Sequence, residues 1–165
     1  MNPRILKFII RPARFPEEVD LVRSVLRDYQ TDIQVDLAFQ NFDKELAELP
    51  GSYDVVLLGE TVSGIAGCVG LRPDCAGVAE LKRLFVYPWA RGGGLGKALT
   101  VEAIDEARRR GYLRLHLDTL ESKMPSALVL YRALGFRQVP GREGKQNLDL
   151  VDLELELASF SAGEC

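Results

Sequence analysis

The chain has 165 residues, 47% of them apolar and 27% charged, and its formal net charge is −3. That length and composition predict one soluble domain over residues 1–165, able to bury roughly two-thirds of its unfolded surface. The charge leaves no basic footprint for nucleic acid, and no apolar run reaches the ~18 residues of a membrane span.

Residues 6–13, LKFIIRPA, read as a first strand. A helix follows in RFPEEVDLVRSVLRDYQ, with Pro16 near its start and Glu17 and Glu18 in its first turn. Val19, Val22, Leu26 and Tyr29 form its apolar stripe. Residues 41–49 are a short second helix closed by Pro50 and Gly51. Residues 53–73 hold two strands joined by a turn near Gly59 to Ser63. A further strand spans 78–88, and 94–111 is the strongest helix, ending in three arginines and Gly111. Residues 113–120 are strand, 125–135 a helix between Pro125 and Gly135, and 148–158 a strongly alternating last strand. Strands interleaved with helices predict an α/β layer fold around a mixed sheet. Three cysteines (Cys68, Cys75, Cys165) without C-x-x-C spacing support neither a disulfide framework nor a metal site. MNPRILKFIIRPARF is too short and too broken by proline for a signal peptide, so a reducing cytoplasm is the expected location.

The segment FVYPWARGGGLGKALTVEAI, residues 85–104, stands apart. A strand, a glycine-rich turn and a helix start make an anion site, because free N–H groups converge and missing side chains let a phosphate approach. Two known glycine patterns fail: Lys97 is followed by Ala98 rather than Ser or Thr, and it also stands where G-x-G-x-x-G needs its third glycine. What fits is R-x-x-G-x-G, from Arg91 through Gly94 to Gly96. Some thirty residues on comes MPSALVLYRALGF, with Ala127, Leu130, Tyr131, Gly135 and Phe136. Together the two segments resemble the GNAT superfamily of acyl-CoA-dependent N-acyltransferases, and the order of elements matches along nearly the whole chain. The resemblance implies a mixed, mostly antiparallel sheet of six or seven strands flanked by about four helices. It also implies acetyl-CoA as co-substrate.

Carried over residue by residue, the resemblance assigns Leu84, Phe85 and Val86 to the strand segment whose backbone pairs with the pantetheine arm. The family usually bulges this strand, which makes strict alternation over 78–88 an unsafe guide to facing. Gly92, Gly93, Gly94, Leu95, Gly96 and Lys97 match the pyrophosphate turn, with charge added by Arg91 and Lys97. Glu80 stands where some members carry a catalytic glutamate that accepts the proton of the amine, since an alkyl amine arrives protonated at pH 7. Tyr131 matches the tyrosine that protonates the departing sulfur. Alternatives stay open for both: Glu80 as an exposed strand residue paired with Lys82 or Arg114, and Tyr131 as packing against Phe136 or Leu128. Two departures stand out, Met124 where the family often has asparagine and Gly92 in place of a second basic residue.

Other candidates read as structural. His116, the one histidine, lies in an apolar strand as a packed or rim residue. Asp118 and Thr119 end that strand, where a turn role competes with lining the acceptor site. Arg108–Arg110 read as a solvated helix end, and Asp149, Asp152, Glu154 and Glu156 as lying mostly on one face, the wet one, of a half-solvated strand. Tyr29, Asp32 and Phe39 fall in the region where the family varies its acceptor pocket. The expected activity is acetyl transfer to a primary amine, a small-molecule acceptor being favoured over a protein N-terminus or lysine, with no metal. No cysteine within either motif suggests an acyl-enzyme. A non-catalytic acyl-CoA sensor is the alternative, and a homodimer is common in families of this kind.

Overall fold

In the computed structural model, residues 5–34, 41–51, 53–141 and 149–157 are described. Among them the chain forms β1 (Ile9–Pro12), α1 (Val19–Ile33), α2 (Phe42–Ala47), β2 (Val55–Thr61), β3 (Gly64–Cys75) and β4 (Val78–Val86). A 3₁₀ turn at Pro88–Ala90 leads to α3 (Leu95–Arg109), followed by β5 (Arg114–Leu120), α4 (Pro125–Ala133), β6 (Arg137–Val139) and β7 (Leu150–Glu156). The strands make one sheet in the order β1-β2-β3-β4-β5-β7-β6. β1–β2, β2–β3, β5–β7 and β6–β7 pair antiparallel, whereas β4 and β5 run parallel through Val78–Glu80 against Arg114–His116. The mixed, mostly antiparallel sheet of seven strands with four helices agrees with the expectation. Only β6 had no counterpart in the sequence reading, because three residues are too few to show a period.

The chain divides into two compact units. One comprises Met1–Pro73 with Leu81–Ala103, the other Asp74–Glu80 with Ile104–Cys165, so β4 and α3 each contribute to both.

In the first unit α1 buries Val22, Val25, Leu26, Tyr29 and Ile33, a 3–4 spaced stripe that Val19 joins only at its edge. The helix starts later than expected. Glu18 is its N-cap residue, and Asp20, not Glu17 or Glu18, supplies the acid of the first turn. The Glu18 carboxylate instead accepts two hydrogen bonds from Arg11 at 2.7 and 2.8 Å and one from the Arg14 N–H. These bonds, Arg11 first, hold the Glu18 carboxyl well down, at about 2.

Arg83 sets the course of β4. It has φ +60°, the left-handed conformation that disfavours residues with a side chain, inside an otherwise extended strand. Its guanidinium meets Glu45 of α2 through two contacts of 3.1 Å, the two side chains being only 3% and 6% exposed. It also lies 4.9 Å from the Phe42 ring centroid and 5.9 Å from that of Tyr29. Buried charge is tolerable only when paired and hydrogen-bonded, and here it is both. The strand is buried at every residue from Val78 to Arg83, so alternation does not describe its facing.

In the second unit, Leu115, Leu117 and Leu153 form the apolar layer of β5 and β7. The half-solvated reading of the last strand needs correction at Asp152, which is buried beside His116. Glu156 is exposed, as expected. The arginines closing α3 are paired to Asp105 and Glu106, which agrees with a solvated helix end.

Two outcomes are expected. Glu45→Ala removes the two-point carboxylate partner of a buried guanidinium and should cost about 3–5 kcal/mol in urea unfolding, whereas Glu45→Leu with Arg83→Met should recover most of it. Because the folded carboxyl of Glu18 titrates below its ordinary value, its contribution is complete above about pH 5 and is lost as the pH falls toward 2. Glu18→Gln should therefore flatten the decline in melting temperature across that acid range.

Candidate active site

The turn between β4 and α3 carries the densest set of predicted residues. Gly92 and Gly94 have φ of +85° and +84°, and a Cβ at either would meet nothing within 4 Å. They are glycines because the backbone turns left-handed there, and the space outside them is open. Gly93 answers to packing instead, since a Cβ would come within 2.6 Å of Leu6 Cβ. Leu95 is buried and its side chain lies over Gly59, which anchors the first turn of α3 to the unit's core. That turn contains no acidic residue, and Lys97 stands exposed in it. A helix stabilising its own dipole would carry the opposite charge. The first N–H groups of α3 are thus left to an anion, with a cation beside them.

Arg91 is placed differently from a side chain that simply reaches for phosphate. Its Nη2 donates to Asp32 at 2.6 Å and its Nε donates to the Val86 carbonyl at 3.0 Å. The side chain therefore braces the turn against the end of α1 and the end of β4. Asp32, read from sequence only as part of a variable region, belongs to this brace. Next to it the Tyr87 hydroxyl donates to Asp28 at 2.5 Å, and desolvation with that bond pushes the phenol well up from its ordinary value. Phe85 is buried between Tyr29 and Tyr87, at centroid distances of 6.0 and 4.7 Å, while Leu84 and Val86 are half-buried. Phe39 lies outside the described residues.

In the second unit Glu80 is 7% exposed, so an exposed strand glutamate is not what the fold makes of it. It pairs in register with His116, whose Nε2 lies 2.9 Å from Asp152 Oδ1. Tyr131 is buried on α4 with its ring centroid 5.5 Å from that of Phe136, and the Phe136 N–H donates to the Tyr131 carbonyl. Packing and proton donation are compatible at this position. Met124 caps the start of α4, just before Pro125. Asp152 is the residue that alternation concealed, since a carboxylate every second residue looks the same on a wet face and on a covered one. The only usable signal was a lone histidine in an apolar strand, which needs a polar partner when buried.

Cys68 is disfavoured as a nucleophile on physical grounds. The Cys68 thiol is buried, donates to the Arg83 carbonyl at 3.4 Å, and is pushed up to about 12 by desolvation. A thiol held protonated is a poor nucleophile. Cys75 is exposed on β3, and Cys165 lies outside the described residues.

Comparison with known proteins bears on these features. Residues 19–136 match the family model described as the acetyltransferase (GNAT) family, a span that contains Glu80, the glycine turn and Tyr131. An uncharacterised N-acetyltransferase of Schizosaccharomyces pombe is 35% identical over 155 residues, covering 90% of this chain and 94% of that protein. An IAA acetyltransferase of Azospirillum brasilense is 40% identical over 73 residues, 44% of this chain and 47% of that one. Among solved structures, a GNAT-family acetyltransferase of Staphylococcus aureus superposes with a TM-score of 0.75 at 19% identity, covering 92% of this chain and 100% of its own. With the family model spanning most of the chain and a relative matching nearly end to end, the protein belongs to the acetyltransferase (GNAT) family and is an acetyl-CoA-dependent N-acetyltransferase.

Proposed function

We propose that this chain moves the acetyl group of acetyl-CoA to a primary amine of a small molecule, by direct attack of the amine on the thioester. The observation that carries the co-substrate assignment to particular residues is the Gly92–Gly94 turn, open on its outer side and set against an acid-free helix start. Its N–H groups, with those of Leu95, Gly96 and Lys97, hold the pyrophosphate. Lys97 adds charge, and Arg91 keeps the turn in place through Asp32. The backbone of Leu84–Val86 pairs with the pantetheine amides as an added strand would.

Glu80 accepts the proton the amine must lose before it can attack, directly or through water. Tyr131 supplies a proton to the sulfur as the C–S bond breaks. Its ring is buried against Phe136, and a phenol keeps its proton at neutral pH. Direct transfer is favoured by the state of Cys68, the buried thiol held protonated. The relative named for IAA supports a small acceptor rather than a protein one.

Two measurements test these assignments. Saturating acetyl-CoA should raise the stability of the parent by about 2.7 kcal/mol at a hundred-fold excess over Kd. Gly94→Val should cost about 1–2 kcal/mol by itself, because a side chain is strained at positive φ, and should also abolish the acetyl-CoA increment. An increment that survives places the pyrophosphate elsewhere. Tyr131→Phe keeps the ring against Phe136 but removes the donor, so kcat should fall roughly 10²-fold with little change in acetyl-CoA affinity. Full turnover in Tyr131→Phe, under conditions where chemistry limits the rate, would assign the residue to packing alone.

A further inference from the structure

β4, β5 and β7 are neighbours in the sheet, and three ionisable residues lie close across them: Glu80 in register with His116, and Asp152 two residues along β7 from Glu154, the register partner of His116. Glu80 on β4 is the register partner of His116 on β5, so the two side chains leave the same face of the sheet from strands roughly 4.8 Å apart. His116 then reaches Asp152 on β7, Nε2 to Oδ1 at 2.9 Å, both side chains being 2% exposed. Other charged groups face this row from its own strands: Lys82 on β4, buried and two residues from Glu80, Arg114 and Asp118 on β5, and Glu154 on β7, with Arg114 3.7 Å from Glu154. The opposite face of the same strands carries Leu115, Leu117 and Leu153, which shows what packing alone asks for here. A buried carboxylate and imidazole cost more to desolvate than leucines, and replacing such pairs by apolar residues is often neutral or stabilising. Packing therefore gives no reason for the pair.

We infer that His116, held by Asp152, receives the proton that Glu80 takes from the amine and so clears Glu80 within each turnover. The inference rests on Glu80 being the proton acceptor. With Asp152 accepting from Nε2–H, the ring's lone pair sits on Nδ1, the nitrogen that can take a further proton. The proton count gives the pair its task. An alkylammonium R–NH₃⁺ becomes the amide R–NH–CO–CH₃, so two protons leave nitrogen while one N–C bond forms. The C–S bond breaks with its electron pair on sulfur, which takes one proton, and one proton is released to solvent. A single buried carboxylate holds only one proton at a time. A neutral imidazole at the register position next to it has a second ring nitrogen that can take the other. His116 does not touch the acceptor in this account; it acts through Glu80.

His116 is the only histidine in the chain, so its ring resonances in NMR need no assignment. The experiment follows their titration in the full chain for the parent and Glu80→Gln, alongside coenzyme A release from acetyl-CoA with a panel of primary amines. If the two groups share protons, removing the Glu80 charge should lower the His116 midpoint by about one pH unit. Asp152→Asn should lower it too, and His116→Gln should reduce kcat roughly tenfold with the KM for acetyl-CoA unchanged. A His116 midpoint that does not move in Glu80→Gln, or a ring that does not titrate between about pH 4 and 10, overturns the relay; this readout needs no variant of the buried pair and no known acceptor. Coenzyme A release undiminished in Glu80→Gln would instead overturn the role of Glu80, a result distinct from an impaired Glu80→Gln with an unmoved histidine.

Discussion

The buried pair of Arg83 and Glu45 is the constraint around which β4 is organised. A residue with a side chain at positive φ inside a strand stores strain that the surroundings must offset. Here the offset comes from a two-point ion pair with α2 and from two aromatic faces, all within one unit. The strand that leads into Leu84–Val86 therefore carries its irregularity at Arg83. Desolvating a guanidinium is costly, and only the close fit of Glu45 makes the arrangement tenable. The electrostatic commitment and the backbone irregularity are one device.

The turn that follows works by leaving things out. Side chains are missing at Gly92, Gly93 and Gly94, two for backbone conformation and one for contact with Leu6. Acids are missing from the first turn of α3, so its N–H groups meet no internal competitor. What is present serves to hold the turn still: Leu95 in the core below, and Arg91 tied to Asp32 and to the end of β4. The Arg91–Asp32 contact is half-exposed, and pairs of that kind contribute little to stability. Its value lies in position, because a turn that binds through backbone N–H groups must present them in a fixed geometry.

The second unit places its polar residues under different rules. Tyr131 shares an apolar environment with Phe136, whereas Glu80, His116 and Asp152 share one face of three adjacent strands. Burial makes each of these groups dependent on its partners, since a polar atom removed from water without a hydrogen bond is costly. Three such residues share one face of these strands, whereas Leu115, Leu117 and Leu153 pack on the other.

Much of this was legible in the sequence, for reasons that are local. Among the described residues, every regular element except β6 has a counterpart read from a period, a cap or a bounding glycine or proline close by in the chain, and the paired motifs point to the family. The glycine turn is of this kind, because φ at Gly94 and the start of α3 are decided by neighbours in the chain. Tertiary structure decided the rest. Glu45 and Arg83 are 38 residues apart, Arg91 and Asp32 59, and His116 and Asp152 36. No periodicity announces which distant partner a charged residue will meet. The alternation in β7 is the plainest case: it required that Asp152 and Leu153 face opposite ways, but it could not say that both faces would be covered. Side-chain direction follows from the backbone of one strand, whereas burial follows from what the other segments place against it.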